Sequence, residues 1–177
     1  MATACSDVMG NLVTNGTLEA LAMGGSSPNG QATNISGSAS TIPGWTGCCG
    51  ATATTQYSVS QTQAHCGQRS VLVSSTNASA NVLDQALPMG NVGKTFLLSG
   101  WVNVTSVTGT GQIALDVFDD GTPKAVAATT VALKATTNSW FQLSVSGVVP
   151  ASGNLRVRIN SSGTLTAFVD DIVYRIP

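Results

Sequence analysis

The sequence predicts an all-β fold, an antiparallel β-sandwich of the jelly-roll type. Only 8% of the 177 residues are charged, against about 25% in an ordinary soluble domain. Helix-favouring Glu and Lys are nearly absent, whereas strand-favouring Thr and Val are abundant. About ten short segments alternate apolar and polar residues, and turn residues separate them. A series of short strands divided by turns is typical of sandwiches and jelly rolls.

The predicted strands follow one another along the chain without a convincing helical period. In segment 94–104, Phe96, Leu98 and Val102 share one face and Trp101 lies on the other. Asp119-Asp120-Gly121 then predicts a turn. The predicted strands are 12–19, 57–61, 70–74, 79–85, 94–104, 112–118, 126–133, 140–145, 155–159 and 166–175. The expected core comprises Phe96, Leu98, Val102, Ile113, Leu115, Val117, Phe141, Leu143, Leu155, Val157, Ile159, Phe168 and Ile172.

The length predicts a single folded unit. We expect an N-terminal arm over residues 1–10 and one sandwich domain over 11–177. Residues 24–41 are uncharged and poorly hydrophobic, which predicts a long loop.

Composition also excludes several classes of partner. The chain has seven Lys and Arg residues, too few for the basic patch that nucleic acid requires. No run approaches the 18 apolar residues of a membrane helix. Residues 1–7 have neither the basic nor the apolar region of a signal peptide. We therefore expect either that the chain begins at its own Met1 without a leader, as proteins released by lysis do, or that Met1 replaces a removed leader.

Four cysteines, Cys5, Cys48, Cys49 and Cys66, allow three pairings. Adjacent cysteines rarely bridge each other, so the expected bridge joins Cys48 or Cys49 to Cys66. Zinc bound by Cys48, Cys49, His65 and Cys66 is the alternative, although this spacing matches none of the usual zinc patterns.

Catalysis is not expected. His65 is the only imidazole, and no nucleophile-elbow pattern accompanies it. Glycosidase chemistry needs two carboxyl groups that flank the scissile bond, and the chain offers one Glu and seven Asp, of which Asp119 and Asp120 are turn residues.

Six local patterns resemble, in the same order, those of carbohydrate-binding modules of families 4, 9 and 22. These are Asn-Leu-Val-Thr-Asn-Gly-Thr-Leu-Glu at 11–19, Gly-Trp-Thr at 44–46, Ala-His-Cys-Gly-Gln-Arg-Ser-Val-Leu-Val at 64–73, Gly-Lys-Thr-Phe through Ser-Gly-Trp-Val at 93–102, Ser-Trp-Phe at 139–141 with Val-Pro at 149–150, and Phe-Val-Asp-Asp-Ile at 168–172. The resemblance implies the galactose-binding-like jelly roll that these families share. Cys66 and Thr17 depart from the family pattern, which usually has Ser and Asp there.

The same resemblance implies a structural calcium ion. It would tie Glu19 to Asp170, with carbonyl oxygens from the first strand and from the turn at 65–67. Alternation along 168–174 points Asp170 inward, and a buried carboxylate needs a partner. The alternative is that Asp170 accepts hydrogen bonds from backbone amides, with no ion.

Glycan binding uses aromatic faces that stack on sugar rings and polar groups that hold the hydroxyls. The candidate residues on the outward phase are Trp101, Phe118, Tyr57, Gln112, Asp116, Gln142, Arg156, Arg158 and Asn160. Alternatively, Trp101 packs under a loop, and Arg156 and Arg158 solubilise a strand face.

We favour a non-catalytic, carbohydrate-binding-module-like sandwich displayed outside the cell on an assembly, such as a phage virion decoration, fibre or tail adhesion protein. Its partners would be other virion subunits and glycans, and it would be oligomeric or assembly-bound. A surface poor in charge suits packing against neighbours better than free solution. The alternative is a secreted glycan-binding module associated with a polysaccharide-degrading enzyme.

Overall fold

The computed structural model describes residues 5, 8–19, 42, 44–48, 55–129, 131–132 and 136–177. The predicted loop 24–41 lies outside these residues. These described residues contain eight strands: β1 (Thr46–Cys48), β2 (Thr55–Ser60), β3 (Ser70–Ala86), β4 (Thr95–Asp119), β5 (Lys124–Ala128), β6 (Val131–Ala132), β7 (Phe141–Val148) and β8 (Leu155–Arg175). Within the described part of the chain, no helix is long and apolar enough to cross a membrane.

Three long strands build both layers of the sandwich. Strand β4 has 25 residues, yet a Cβ atom placed on Gly100 would lie 2.7 Å from Cδ1 of Leu115 in the same strand. In a straight strand these two residues would be about 50 Å apart. Register shifts interrupt the β4–β8 pairing between Thr108 and Gln112. The strand therefore bends there, and its two halves face each other across the core.

Strands β3 and β8 bend at the same level. The β3–β8 register shifts between Asn77 and Asn81, opposite Gly163, which has a φ of +74°. The strand order in the first layer is β2–β3–β8–β4–β7, and in the second it is β1–β3–β8–β4, followed by β5 and β6. Every pairing is antiparallel, so the predicted antiparallel β-sandwich is confirmed. The predicted strands 94–104 and 112–118 are two halves of one bent strand.

The core lies between the two layers and contains most of the predicted residues. Phe96, Leu98, Ile113 and Leu115 are all fully buried in it. Phe141 packs against it only partly buried. Phe168 is buried as predicted, at 6% exposed, but on the other face: it pairs with Leu72 and Asn103 on the outer side of the first layer, outside the main core cluster.

A β-bulge explains the misplaced Phe168. The β4–β8 register shifts between Ser99 and Trp101, and Asp171 has a φ of +49°. One extra residue reverses which face each side chain takes. If strict alternation is counted backwards from the buried Ile172, Phe168 is expected to face the core. Because of the extra residue, Val169 faces the core instead.

The predicted first strand, 12–19, is wrong as well. Asn15 and Leu18 have positive φ, and the amide of Leu18 donates to the carbonyl of Asn15 at 3.1 Å. Left-handed residues interrupt an extended strand. This turn docks on β8, because the amide of Ile172 donates to the carbonyl of Gly16 at 2.8 Å.

We predict that Gly16→Ala destabilises the fold by about 2–3 kcal/mol, as overpacking does. A Cβ atom at this position would lie 2.1 Å from the carbonyl oxygen of Ile172, which is backbone and cannot rotate away. Chemical denaturation measures the loss. Gly109→Ala is the control, since its Cβ meets no atom within 4 Å and only its left-handed φ of +67° opposes the change. Equal stability of Gly16→Ala and the parent would contradict this docking.

Candidate functional site

A cleft of about 520 Å³ lies on the outer side of the first layer. Its floor is formed by side chains from neighbouring strands: Ser99 and Trp101 of β4 pair with Ser144 and Gln142 of β7. Residues after the bulge in β8 continue this floor as far as Arg175. The turn at 65–66 and the N-terminal segment with Cys5 and Val8 form the wall.

Two aromatic rings define one end of the cleft. The imidazole of His65 stacks on the indole of Trp101, with 4.0 Å between ring centroids and 13° between planes. Trp140 meets the imidazole edge-on at 5.7 Å. Nδ1 of His65 lies 2.7 Å from Oδ2 of Asp171. These contacts fix the orientation of Trp101, which stays partly exposed to the cleft.

The side chain of Asp170 binds the backbone of the turn at 65–66 that forms part of the cleft wall. Its fully buried carboxylate accepts hydrogen bonds from the amides of His65 at 2.8 Å, Cys66 at 3.4 Å and Asp171 at 2.8 Å. Burial, together with the neighbouring charge of Asp171, raises the pKa of Asp170 to about 8, although the three amides oppose this shift. Asp170 is therefore held by the main chain of the turn that carries His65.

Glu19 holds the other end of the same turn. Its Oε1 accepts hydrogen bonds from the amides of Gln68 at 2.9 Å and Arg69 at 2.8 Å. The guanidinium of Arg69 also donates to the carbonyl of Glu19. Glycine is favoured at position 67 by its left-handed φ of +60°, and a Cβ atom there would also lie 2.4 Å from Oε1 of Glu19. Two carboxylates thus accept hydrogen bonds from both ends of the turn from 65 to 69.

The described oxygen atoms do not form a calcium site by themselves. Calcium takes six to eight oxygen ligands, whereas Glu19 and Asp170 face amide donors of the turn. The potential ligands that converge within 4.8 Å of one another among the described residues are Cys5, Cys66 and Asp171. The calcium ion therefore stays a prediction that rests on the sequence resemblance.

A disulfide bond joins Cys5 to Cys66. The expected bridge from Cys48 or Cys49 to Cys66 is therefore wrong, because Cys66 is already paired. The alternative zinc site loses Cys66 as a thiolate for the same reason. The side chains of Cys48 and Cys49 lie outside the described residues. The bond attaches the N-terminal segment to the turn that carries His65, and so completes the cleft wall.

The floor offers polar groups that the protein does not use. Within the described residues, the side chains of Ser99, Gln142 and Ser144 donate or accept no hydrogen bond, and Gln142 and Ser144 are exposed. Unused amide and hydroxyl groups beside an indole can hold the hydroxyls of a sugar whose ring contacts the part of the indole that His65 leaves exposed. Trp101 and Gln142, both candidates from the sequence, therefore lie together in the cleft.

Most of the other candidates lie on the opposite face of the sandwich, the outer side of the second layer. Arg158 contacts Asp116 through Nε at 2.6 Å and Nη2 at 2.8 Å. Its guanidinium carbon lies 3.9 Å from the centroid of the Phe118 ring. The side-chain amide of Asn160 donates to Asp116. These groups bind one another, so their polar atoms and the Phe118 face are already occupied.

The remaining candidates are also separate from the cleft. Arg156 contacts Asp120 at 2.6 Å and Asp84 at 3.1 Å. Gln112 is exposed and pairs with Ser162, near the bend between the layers. The outward orientation predicted for Tyr57 is wrong: it is 0% exposed, and its hydroxyl lies 2.9 Å from Oγ of Ser161. Burial also raises the pKa of Tyr57 far above its usual value.

The role of His65 in the cleft was not predicted from the sequence. Catalysis and zinc binding were the roles weighed for this imidazole, but it stacks on Trp101, 36 positions away in the sequence. Only the bulge at 170–171, which directs Asp170 to the turn backbone and Asp171 to the imidazole, creates this arrangement. The paired Asp170-Asp171 was the one available signal.

Comparison with known proteins supports the fold. No protein-family model and no curated protein sequence matches the chain. Among solved structures, TmCBM61, in complex with β-1,4-galactotriose, is 16% identical, with a TM-score of 0.62 over 94% of this chain and 99% of that one. Carbohydrate-binding modules of families 4, 16 and 22 also match. The resemblance to families 4 and 22 is confirmed for the fold.

Two other kinds of protein share this fold. A cyclase from Fischerella sp. is 14% identical, with a TM-score of 0.66 over 94% of this chain and 95% of that one. The enzymatically active domain of tailspike protein 4 from bacteriophage CBA120 is 17% identical, with a TM-score of 0.63 over 94% of this chain. This chain spans 21% of that tailspike structure. At these identities the matches show the fold alone, which serves binding proteins and enzymes alike.

We predict that stability falls as the pH rises in calcium-free buffer. The pKa of Asp170 is about 8 in the folded protein and about 4 in an unfolded chain. Between these values the folded state binds a proton that the unfolded state releases, so each rise in pH favours unfolding. The melting temperature should drop by at least about 4 °C between pH 5 and pH 8. Asp170→Asn, which cannot ionise, should flatten this decline, and an equally steep decline in the variant would refute the assignment.

We also predict that calcium raises the melting temperature at pH 8, where Asp170 is partly ionised. The parent protein is melted with calcium and with chelator, and Asp170→Ala is treated in the same way. The variant should melt at a lower temperature than the parent in calcium and lose little more on chelation. Identical melting of the parent in both buffers would eliminate the structural calcium.

Proposed function

We propose that the protein is a non-catalytic glycan-binding module whose binding site is the cleft that contains Trp101. The observation that carries this proposal is the combination, on one floor, of a partly exposed indole with the unused side chains of Gln142 and Ser144. Sugars present apolar ring faces and hydroxyl groups together, and this combination complements both. The fold shared with carbohydrate-binding modules supports the same conclusion.

Rigidity of the site supports binding as well. His65 is fixed by its stacking on Trp101, its contact with Asp171 and the amide hydrogen bond to Asp170. A site that is formed before the ligand arrives loses less conformational entropy on binding. Because the imidazole of His65 is already held by these contacts, it is better suited to positioning Trp101 than to acting as a catalytic acid or base.

We further propose that the module acts outside the cell, as part of a virion or a similar assembly. The disulfide between Cys5 and Cys66 supports an oxidising location. The match to one domain of a phage tailspike supports the idea that this fold can serve within a larger viral protein. A secreted module associated with a polysaccharide-degrading enzyme is the alternative, and the family matches favour it equally.

The test of glycan binding compares two aromatic substitutions. Calorimetric titration with oligosaccharides of β-1,4-galactan, xylan and β-glucan should identify at least one ligand. Trp101→Ala should then weaken binding at least about 10-fold, because a central aromatic contact is lost. Phe118→Ala is the matched control, since its ring lies on the opposite face beneath Arg158. Equal losses in both variants would place the site elsewhere.

The assembly proposal has its own experiment. Light scattering should find an oligomer, or purified virions should capture the protein. Trp101→Ala should preserve the assembly if surfaces outside the cleft mediate it. A monodisperse monomer that binds a polysaccharide and ignores virions would favour the secreted module instead.

A further inference from the structure

One charged group in the cleft has no partner. Arg175 lies at the end of the floor, is exposed, and forms no ion pair or side-chain hydrogen bond with the described residues. The other three arginines are committed: Arg69 to Glu19, Arg156 to Asp84 and Asp120, and Arg158 to Asp116. Arg175 is therefore the arginine whose guanidinium the described residues leave available to a ligand.

The negative group of the cleft is already engaged. Asp171 lies at the Trp101 end, where its carboxylate meets Nδ1 of His65 at 2.7 Å. The polar side chains of the floor between the two ends, Ser99, Gln142 and Ser144, are neutral. The cleft thus has an aromatic end, where Asp171 is paired with His65, and an opposite end that carries a cation.

The backbone holds these two ends at a fixed separation. Arg175 is the register partner of Leu97, which lies four residues before Trp101 on β4. Four residues of strand span about 13 Å, more than one sugar ring. Ile176 packs against the core, so the strand end that carries Arg175 is held in place. A saccharide that reaches both groups must therefore contain more than one sugar ring.

We propose that the cleft selects an acidic oligosaccharide, with an uncharged ring on Trp101 and a carboxylate or sulfate group on Arg175. The inference rests on the glycan-binding function proposed above and specifies its ligand class. A guanidinium donates two parallel hydrogen bonds to a carboxylate or sulfate group, and such charged bonds are stronger than neutral ones. The stack at one end and the cation at the other also fix the direction of the chain.

The experiment compares an acidic oligosaccharide with its neutral methyl ester, and adds a sulfated ligand with a different sugar backbone. The full-length protein is titrated with oligogalacturonate, with its methyl ester and with a sulfated galactan oligosaccharide. We expect oligogalacturonate or the sulfated ligand to bind at least about 10-fold more tightly than the methyl ester, with an affinity that falls as salt rises. Arg175→Gln should abolish this preference, because it should weaken binding of the acidic ligand far more than binding of the methyl ester. Lys124→Gln, which removes an exposed cation from β5 in the second layer, is the charge-matched control and should keep it.

The outcomes separate this inference from the proposed function. Binding that depends on Trp101 but is equal for charged and esterified ligands would overturn the acidic preference and keep the glycan-binding site. An equal loss in Arg175→Gln and Lys124→Gln would also overturn it, because the effect would then come from net charge. Binding that Trp101→Ala leaves unchanged, or no binding to any neutral or acidic saccharide, would overturn both proposals. Preference for the sulfated ligand alone would assign the anion as sulfate.

Discussion

The bend shared by β3, β4 and β8 is the constraint on which the rest of the structure depends. Because each strand passes through both layers, the position of every side chain in one layer is linked to the other layer through a continuous backbone. Gly163 lies at this bend, where a Cβ atom would come 2.9 Å from Cα of Gly111. A close backbone approach of this kind needs glycine on both strands. The sandwich therefore closes without separate crossover segments between these halves.

The fold could be predicted from the sequence because alternation is a local property. The segments around Phe96, Ile113 and Val157 each showed their buried face directly, and all three residues are in the core. Continuity of the strands was not visible, since the alternating segments 94–104 and 112–118 were predicted as separate strands. Alternation also could not reveal the bulge at 170–171, and for this reason Phe168 was assigned to the wrong face.

The candidate site was predictable only in part. Trp101 was recognised by its outward phase, which depends on its own strand alone. The contact between His65 and Asp171 depends on a turn and a bulge 106 residues apart in the sequence, and no local pattern reports such a meeting. The alternation along their strands places Arg156, Arg158 and Phe118 on an outward face, as it would place ligand-binding residues. Alternation does not tell, however, whether polar groups on that face bind each other or a ligand. Their mutual contacts answer that question for the second layer.

The bond between Cys5 and Cys66 closes a loop that spans 61 positions. In the chain-entropy account, a link of this length lowers the entropy of the unfolded state and so raises its free energy by about 4 kcal/mol. A large share of the ordinary stability of a domain then depends on oxidation. In reducing surroundings the folded state would lack this share. Resistance to heat and proteases would then depend on the redox state of the surroundings, with no change in the sequence.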